Sequence, residues 1–147
     1  MKGSTQTPRS TGSRELIRRW LPPLVWMGVI FFVSARSTLP SAPGRWDLLF
    51  KKTMHVLAYG FLTWLYLRAL RGGEPRGNRP DSGWTRAVSA GMALLYALSD
   101  EYHQTFVSGR HGSLVDVAID GLGISAVLLL DWGARRGGRR PDEEASG

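Results

Sequence analysis

Polar and apolar residues fall in blocks along this chain. Four apolar runs stand out: 20–35 (WLPPLVWMGVIFFVSA), 53–70 (TMHVLAYGFLTWLYLRAL), 84–99 (WTRAVSAGMALLYALS) and 114–132 (LVDVAIDGLGISAVLLLDW). Each holds 16 to 19 residues and is apolar around most of a helix, which predicts four buried or membrane-embedded helices. At 1.5 Å per residue they reach about 24 to 28 Å, a little short of a hydrocarbon core of about 30 Å. A chain of 147 residues is too short to cover four such helices with polar surface. The pattern therefore predicts an all-α integral membrane bundle of four transmembrane helices over residues 20–132. Trp20, Trp84 and Trp132 sit near run ends, where interfacial aromatics belong. Pro22 and Pro23 fit a helix's first turn, where a missing N–H is harmless. Residues 14–35 also have the make-up of a cleaved signal peptide, with Val33, Ser34 and Ala35 as cleavage site. Three further apolar runs favour a retained helix.

Residues 1–19 and 133–147 are rich in small polar residues and arginine, lack apolar periodicity, and are expected to be a disordered arm and tail. The net charge of +7 would suit a nucleic-acid binder if it lay on one folded face, but most basic residues lie in these flanks and one loop, so no nucleic-acid partner is expected. The absence of cysteine excludes disulfides and thiolate chemistry. Location of the charges sets the topology. Lys2, Arg9, Arg14, Arg18 and Arg19 precede the first run, Arg68, Arg71, Arg76, Arg79 and Arg86 flank the second connection, and Arg135, Arg136, Arg139 and Arg140 follow the last run. These fourteen face Arg36, Arg45, Lys51, Lys52 and Arg110, five in all, on the other side. The positive-inside rule then puts both termini and the loop 71–83 in the cytoplasm.

That orientation gathers polarity at the outer end. Lys52, His55 and Tyr59, spaced i, i+3, i+7, share one helix face. The third run emerges through Tyr96 into Asp100, Glu101, His103 and Gln104, followed by a loop over 105–113. The fourth run enters with Asp116 and Asp120 at i, i+4, then Gly121 and Gly123, whose small size suits close helix packing. Asp120 lies about 10 Å along its helix, where an unpaired carboxylate costs several kcal/mol. It should face inward with a partner from among His55, Lys52, Tyr59 and Arg110. Asp116 could equally be solvated, and Lys51 and Lys52 could snorkel to headgroups. Arg110, between Gly109 and Gly112, has the guanidinium geometry for bidentate capture of phosphate or carboxylate. His103, His111, Glu101, Asp116 and Asp120 offer metal ligands in a spacing that matches no established motif, so no metal and no cofactor is expected.

These segments resemble the VanZ-like family of small bacterial membrane proteins. Lys52, His55 and Tyr59 fit its Lys-x-x-His-x-x-x-Tyr helix start. Glu101, Gln104, Phe106, Gly109 and Arg110 match its loop pattern, and Asp116, Asp120 and Gly123 match the helix that follows. Two departures are Lys51, where many members have an acid, and Ser108, where the loop commonly has proline. The resemblance implies a multi-pass protein of the bacterial cytoplasmic membrane, and the family's founding member is linked to teicoplanin resistance.

Two functions from different classes follow. In the first, Lys52 and Arg110, helped by Tyr59, Gln104 and Asp116, hold an anionic lipid headgroup or a lipid-linked cell-wall precursor, while His55 or His103 with Glu101, Asp116 or Asp120 exchange protons. In the second, the polar cluster orders the bundle of a structural or accessory membrane protein. A proton or ion pathway is the weakest reading, because Thr63, Ser89 and Ser125 are too sparse to carry it inward.

Overall fold

A computed structural model of the chain describes residues 11–36, 45–72, 83–110 and 112–137. Among them are four α-helices and no strand: α1 (Thr11–Ser34), α2 (Arg45–Leu70), α3 (Gly83–Gln104) and α4 (Leu114–Arg136). Each contains one of the apolar runs, and each is longer than its run. The helix α1 starts at Thr11, so the part of the expected disordered arm over 11–19 is helical, with Glu15 and Arg19 paired at 2.8 Å across one turn. The rest of the arm lies outside the described residues, as does the tail beyond Gly137. Because α1 starts early, Pro22 and Pro23 stand inside the helix instead of in its first turn. They remove two N–H donors there, which leaves the carbonyls of Arg18 and Arg19 without intrahelical partners.

At 22 to 26 residues the helices are roughly 33 to 39 Å long, enough in length alone to cross a hydrocarbon core. Among the described residues, only Gly12–Ser34, within α1, is also apolar enough to cross a membrane by composition. The other three bury part of their polar residues. Ser89, Asp100, Glu101 and Gln104 of α3, Thr63 of α2 and Asp120 of α4 are buried, while Leu57, Trp64, Leu95, Leu122 and Leu130 are exposed. A water-soluble fold has the opposite distribution, and it rarely leaves apolar patches larger than a few hundred Å² open to solvent.

Side-chain contacts establish an up-down-up-down order. At one end, Ser34 of α1 meets Asp100 of α3, and Lys52 and His55 of α2 meet Asp116 and Asp120 of α4. At the other, Arg71 after α2 and Arg86 of α3 meet Asp131 of α4. Trp20, Trp84 and Trp132 all belong to this second end. Trp84 is 77% exposed, and Arg136 stacks over the Trp132 ring at 3.8 Å. Between the ends lies an apolar core of Ile30, Tyr59, Leu62, Tyr66, Ala93, Ala97 and Ile124. The helix α1 is tied to it by the Trp26 indole N–H donating to the Ala58 carbonyl at 3.0 Å and the Tyr96 hydroxyl donating to the Met27 carbonyl at 2.6 Å.

The tightest crossing is between α2 and α4. A Cβ added at Gly123 would overlap the Val56 carbonyl, and one at Gly60 would meet the Gly123 carbonyl at 3.3 Å. Gly121, also expected to pack closely, has open space around it.

Candidate functional site

The polar end draws on all four helices. On α3 the buried positions Ser89, Ala93, Ala97, Asp100, Glu101 and Gln104 recur at intervals of three and four, one continuous stripe that runs from small residues into acids. The helix therefore continues five residues past its apolar run and delivers Asp100, Glu101 and Gln104 to the interior. The chain then turns through 105–110, within the loop expected over 105–113. Gly109 takes φ +80°, open to a residue without Cβ, and the Arg110 N–H donates to the Val107 carbonyl at 3.1 Å. Gly112 lies so close to α3 that a Cβ would overlap the Glu101 carbonyl. Ser113 then caps α4, its hydroxyl accepting from the Val115 N–H at 3.2 Å.

Two cross-helix pairs join α2 to α4. The Lys52 ammonium donates to Asp116 Oδ1 at 2.9 Å, both side chains about one-third exposed. One turn deeper, His55 Nδ1 lies 3.2 Å from Asp120 Oδ1. Of the four partners open to Asp120, the structure selects His55, and it pairs Asp116 instead of leaving it solvated. Asp120 is fully buried, and its Oδ2 has no hydrogen-bond partner.

Glu101 is held by the Ser113 backbone N–H, which donates to Oε2 at 2.8 Å, and at longer range by the Gln104 amide, 3.4 Å from Oε1. The same amide donates to Asp100 Oδ2 at 3.1 Å, and the Ser34 hydroxyl donates to that oxygen at 2.8 Å. Tyr59 is also buried. Its ring lies 6.3 Å from both His55 and Tyr96, and its hydroxyl is without a hydrogen-bond partner. The nearest donors of His55, Glu101 and Asp120 all fall within 4.8 Å of one another, a convergence that spacing along the chain could not show.

Of the eight site residues expected from the sequence, Lys52, His55, Tyr59, Glu101, Gln104, Asp116 and Asp120 come together at this end. Arg110, itself half-buried, stands in the mostly exposed turn that follows α3, and no hydrogen bond or ion pair engages its guanidinium among the described residues. His103 points elsewhere: its ring lies 4.3 Å from Phe31. His111 lies outside the described residues. The sequence reading missed Ser34 and the inward role of Asp100. The second was recoverable from the small-residue stripe, since Asp100 stands at i+7 from Ala93 and i+3 from Ala97. The first was hidden, since 66 residues separate Ser34 from its partner.

Chemically, the end is acid-rich and internally paired, with an imidazole among buried carboxylates and, in the following turn, a guanidinium unengaged among the described residues. Such an arrangement can move a proton between His55 and Asp120 and grip an anion through Arg110. A family model described as VanZ/LLP1 matches residues 3–132. No curated protein and no solved structure matches the chain.

Proposed function

Because this chain belongs to the VanZ/LLP1 family, we propose that it is a four-span membrane protein whose polar end faces outward and binds the anionic headgroup of a lipid or lipid-linked cell-envelope precursor. The carrying observation is Arg110, whose guanidinium has no partner among the described residues and which stands in the turn between α3 and α4, the helices that supply the buried acids. Lys52, expected to share the anion, is already committed to Asp116, so the grip falls to Arg110. The apolar outer faces of the helices and the concentration of basic residues at the opposite end support the membrane orientation, with both termini cytoplasmic. In this reading, Asp120 and Glu101 are the groups that exchange protons with His55 once an anion is bound.

The test is native mass spectrometry of the detergent-purified chain. A co-purifying anionic lipid or polyprenyl phosphate is expected, with occupancy falling about tenfold or more in Arg110→Ala, the loss of a charge-assisted hydrogen-bond pair. Equal occupancy in the variant would remove the proposal. Its cellular counterpart is resistance: expression in a susceptible bacterium is expected to raise tolerated teicoplanin, and Arg110→Ala to cancel the rise.

The second reading, a structural or accessory membrane protein, is favoured by the pairs Ser34 with Asp100, which ties α1 to α3, and Lys52 with Asp116 and His55 with Asp120, which tie α2 to α4. It predicts that Arg110→Ala changes nothing and that Asp120→Asn lowers folded protein and function in proportion.

A further inference from the structure

The acids at the polar end outnumber the cations that touch them. Asp100 is partnered by Ser34 and Gln104, Glu101 by Ser113 and Gln104, and Asp120 by His55. Those three carboxylates are buried, and His55 is the one basic side chain hydrogen-bonded to any of them among the described residues. Burial of a carboxylate without a countercharge is costly, and burial of several together is more so. A fully buried acid with an oxygen left unpaired, as Asp120 Oδ2 is, calls for a partner of another kind.

We propose that His55, Glu101 and Asp120 form a binding site for one divalent transition-metal ion. Three helices each contribute one ligand. Two donors held by one ion at the bond lengths usual for zinc stand about 2.9 to 3.4 Å apart, for octahedral and tetrahedral angles respectively. The His55 to Asp120 edge, at 3.2 Å, already has that length. The full set spans up to 4.8 Å, so the Glu101 carboxylate must close by about 1 to 2 Å, within reach of a side-chain rotation. The surrounding bonds suit a ligand sphere. The Ser113 N–H orients the Glu101 carboxylate.

Donor chemistry narrows the ion. An imidazole with two carboxylates suits zinc or manganese better than magnesium, which prefers oxygen and retains water. Three protein ligands leave a coordination position open, as in sites that bind water or a substrate oxygen. A bound ion would take the place of the proton exchange read above for His55, Glu101 and Asp120, while the anion grip of Arg110 is tested apart from it, because metal uptake is measured with no lipid added.

The experiment uses the full chain, purified in detergent without a histidine tag, stripped with a chelator and re-equilibrated with Zn2+ alone or Mg2+ alone. After desalting, about one Zn2+ per chain is expected and little Mg2+. His55→Gln and Asp120→Asn are expected to lose the zinc, while His103→Gln and Asp116→Asn keep it. The proposal is overturned if the stripped wild-type chain takes up no zinc, or if His55→Gln and Asp120→Asn elute like wild type and still retain it. Should those variants fail to elute as folded protein, a Co2+ titration of the wild-type chain decides. Visible absorption saturating at about one equivalent supports the site, and an unchanged spectrum overturns it.

Discussion

Gly123→Ala is expected to prevent most of the chain from reaching the folded bundle, while Gly121→Ala, two residues away on the same helix, leaves it intact. A Cβ at Gly123 would overlap the Val56 carbonyl and approach the Val56 carbonyl carbon at 2.9 Å and the Gly60 nitrogen at 3.1 Å. All of these are backbone atoms of α2, so no rotamer change relieves the clash and the helices must move apart. Overpacking a core costs about 1 to 3 kcal/mol, and a backbone obstruction belongs at or beyond the top of that range. Separation would also stretch the pairs from Lys52 to Asp116 and from His55 to Asp120, because they span the same two helices. At Gly121 the added methyl meets nothing within 4 Å, and alanine gains up to about 1 kcal/mol of helix propensity over glycine. The measurement is the monodisperse fraction of detergent-extracted protein together with its thermal midpoint. A Gly123→Ala chain indistinguishable from wild type would show that the crossing is looser than the structure has it.

By size and composition Gly121 and Gly123 look equivalent; the family pattern singles out Gly123, and the helix rotation gives the physical reason. The same distinction explains what was legible elsewhere. Apolar runs reveal where helices are, because they record the wide apolar face. They say little about helix ends, because residues 11–19 and 100–104 are polar by composition yet helical, and the second segment turns its acids inward. Within the site, Lys52, His55 and Tyr59 on one face, and Asp116 and Asp120 on another, were readable from spacing. Their pairing follows from the parallel course of α2 and α4: moving three residues deeper along α2, from Lys52 to His55, matches moving four deeper along α4, from Asp116 to Asp120. The convergence of Glu101 on His55 and Asp120, and of Ser34 on Asp100, depends on how α1 and α3 rotate against that pair. No periodicity within one helix encodes such a rotation.

The opposite end of the bundle carries the second large expected effect, and here charge itself is the structural element. Arg71 places both terminal nitrogens 2.5 Å from the two oxygens of Asp131, a bidentate fork, while Arg86 lies at 3.8 Å and Arg135 at 3.4 Å from Oδ2. All four side chains are less than one-fifth exposed. One carboxylate thus gathers guanidinium groups delivered by α2, α3 and α4, and removing it leaves like charges facing one another. Asp131→Asn preserves the shape and deletes the charge, and is expected to destabilise the bundle by about 3 kcal/mol, as when one partner of a buried pair is lost. Asp116→Asn breaks the Lys52 pair, but both of those side chains are about one-third exposed, so its cost should stay below about 1 kcal/mol. Repulsion can be told from lost packing by two further readings. Raising the salt concentration should recover part of the Asp131→Asn loss, since screening weakens the repulsion between guanidiniums. Adding Arg71→Gln should recover more, giving a favourable coupling in a double-mutant cycle. Thermal unfolding in one detergent at two salt concentrations provides all of these values. An Asp131→Asn midpoint that matches Asp116→Asn and ignores salt would mean that the three arginines tolerate one another without the carboxylate.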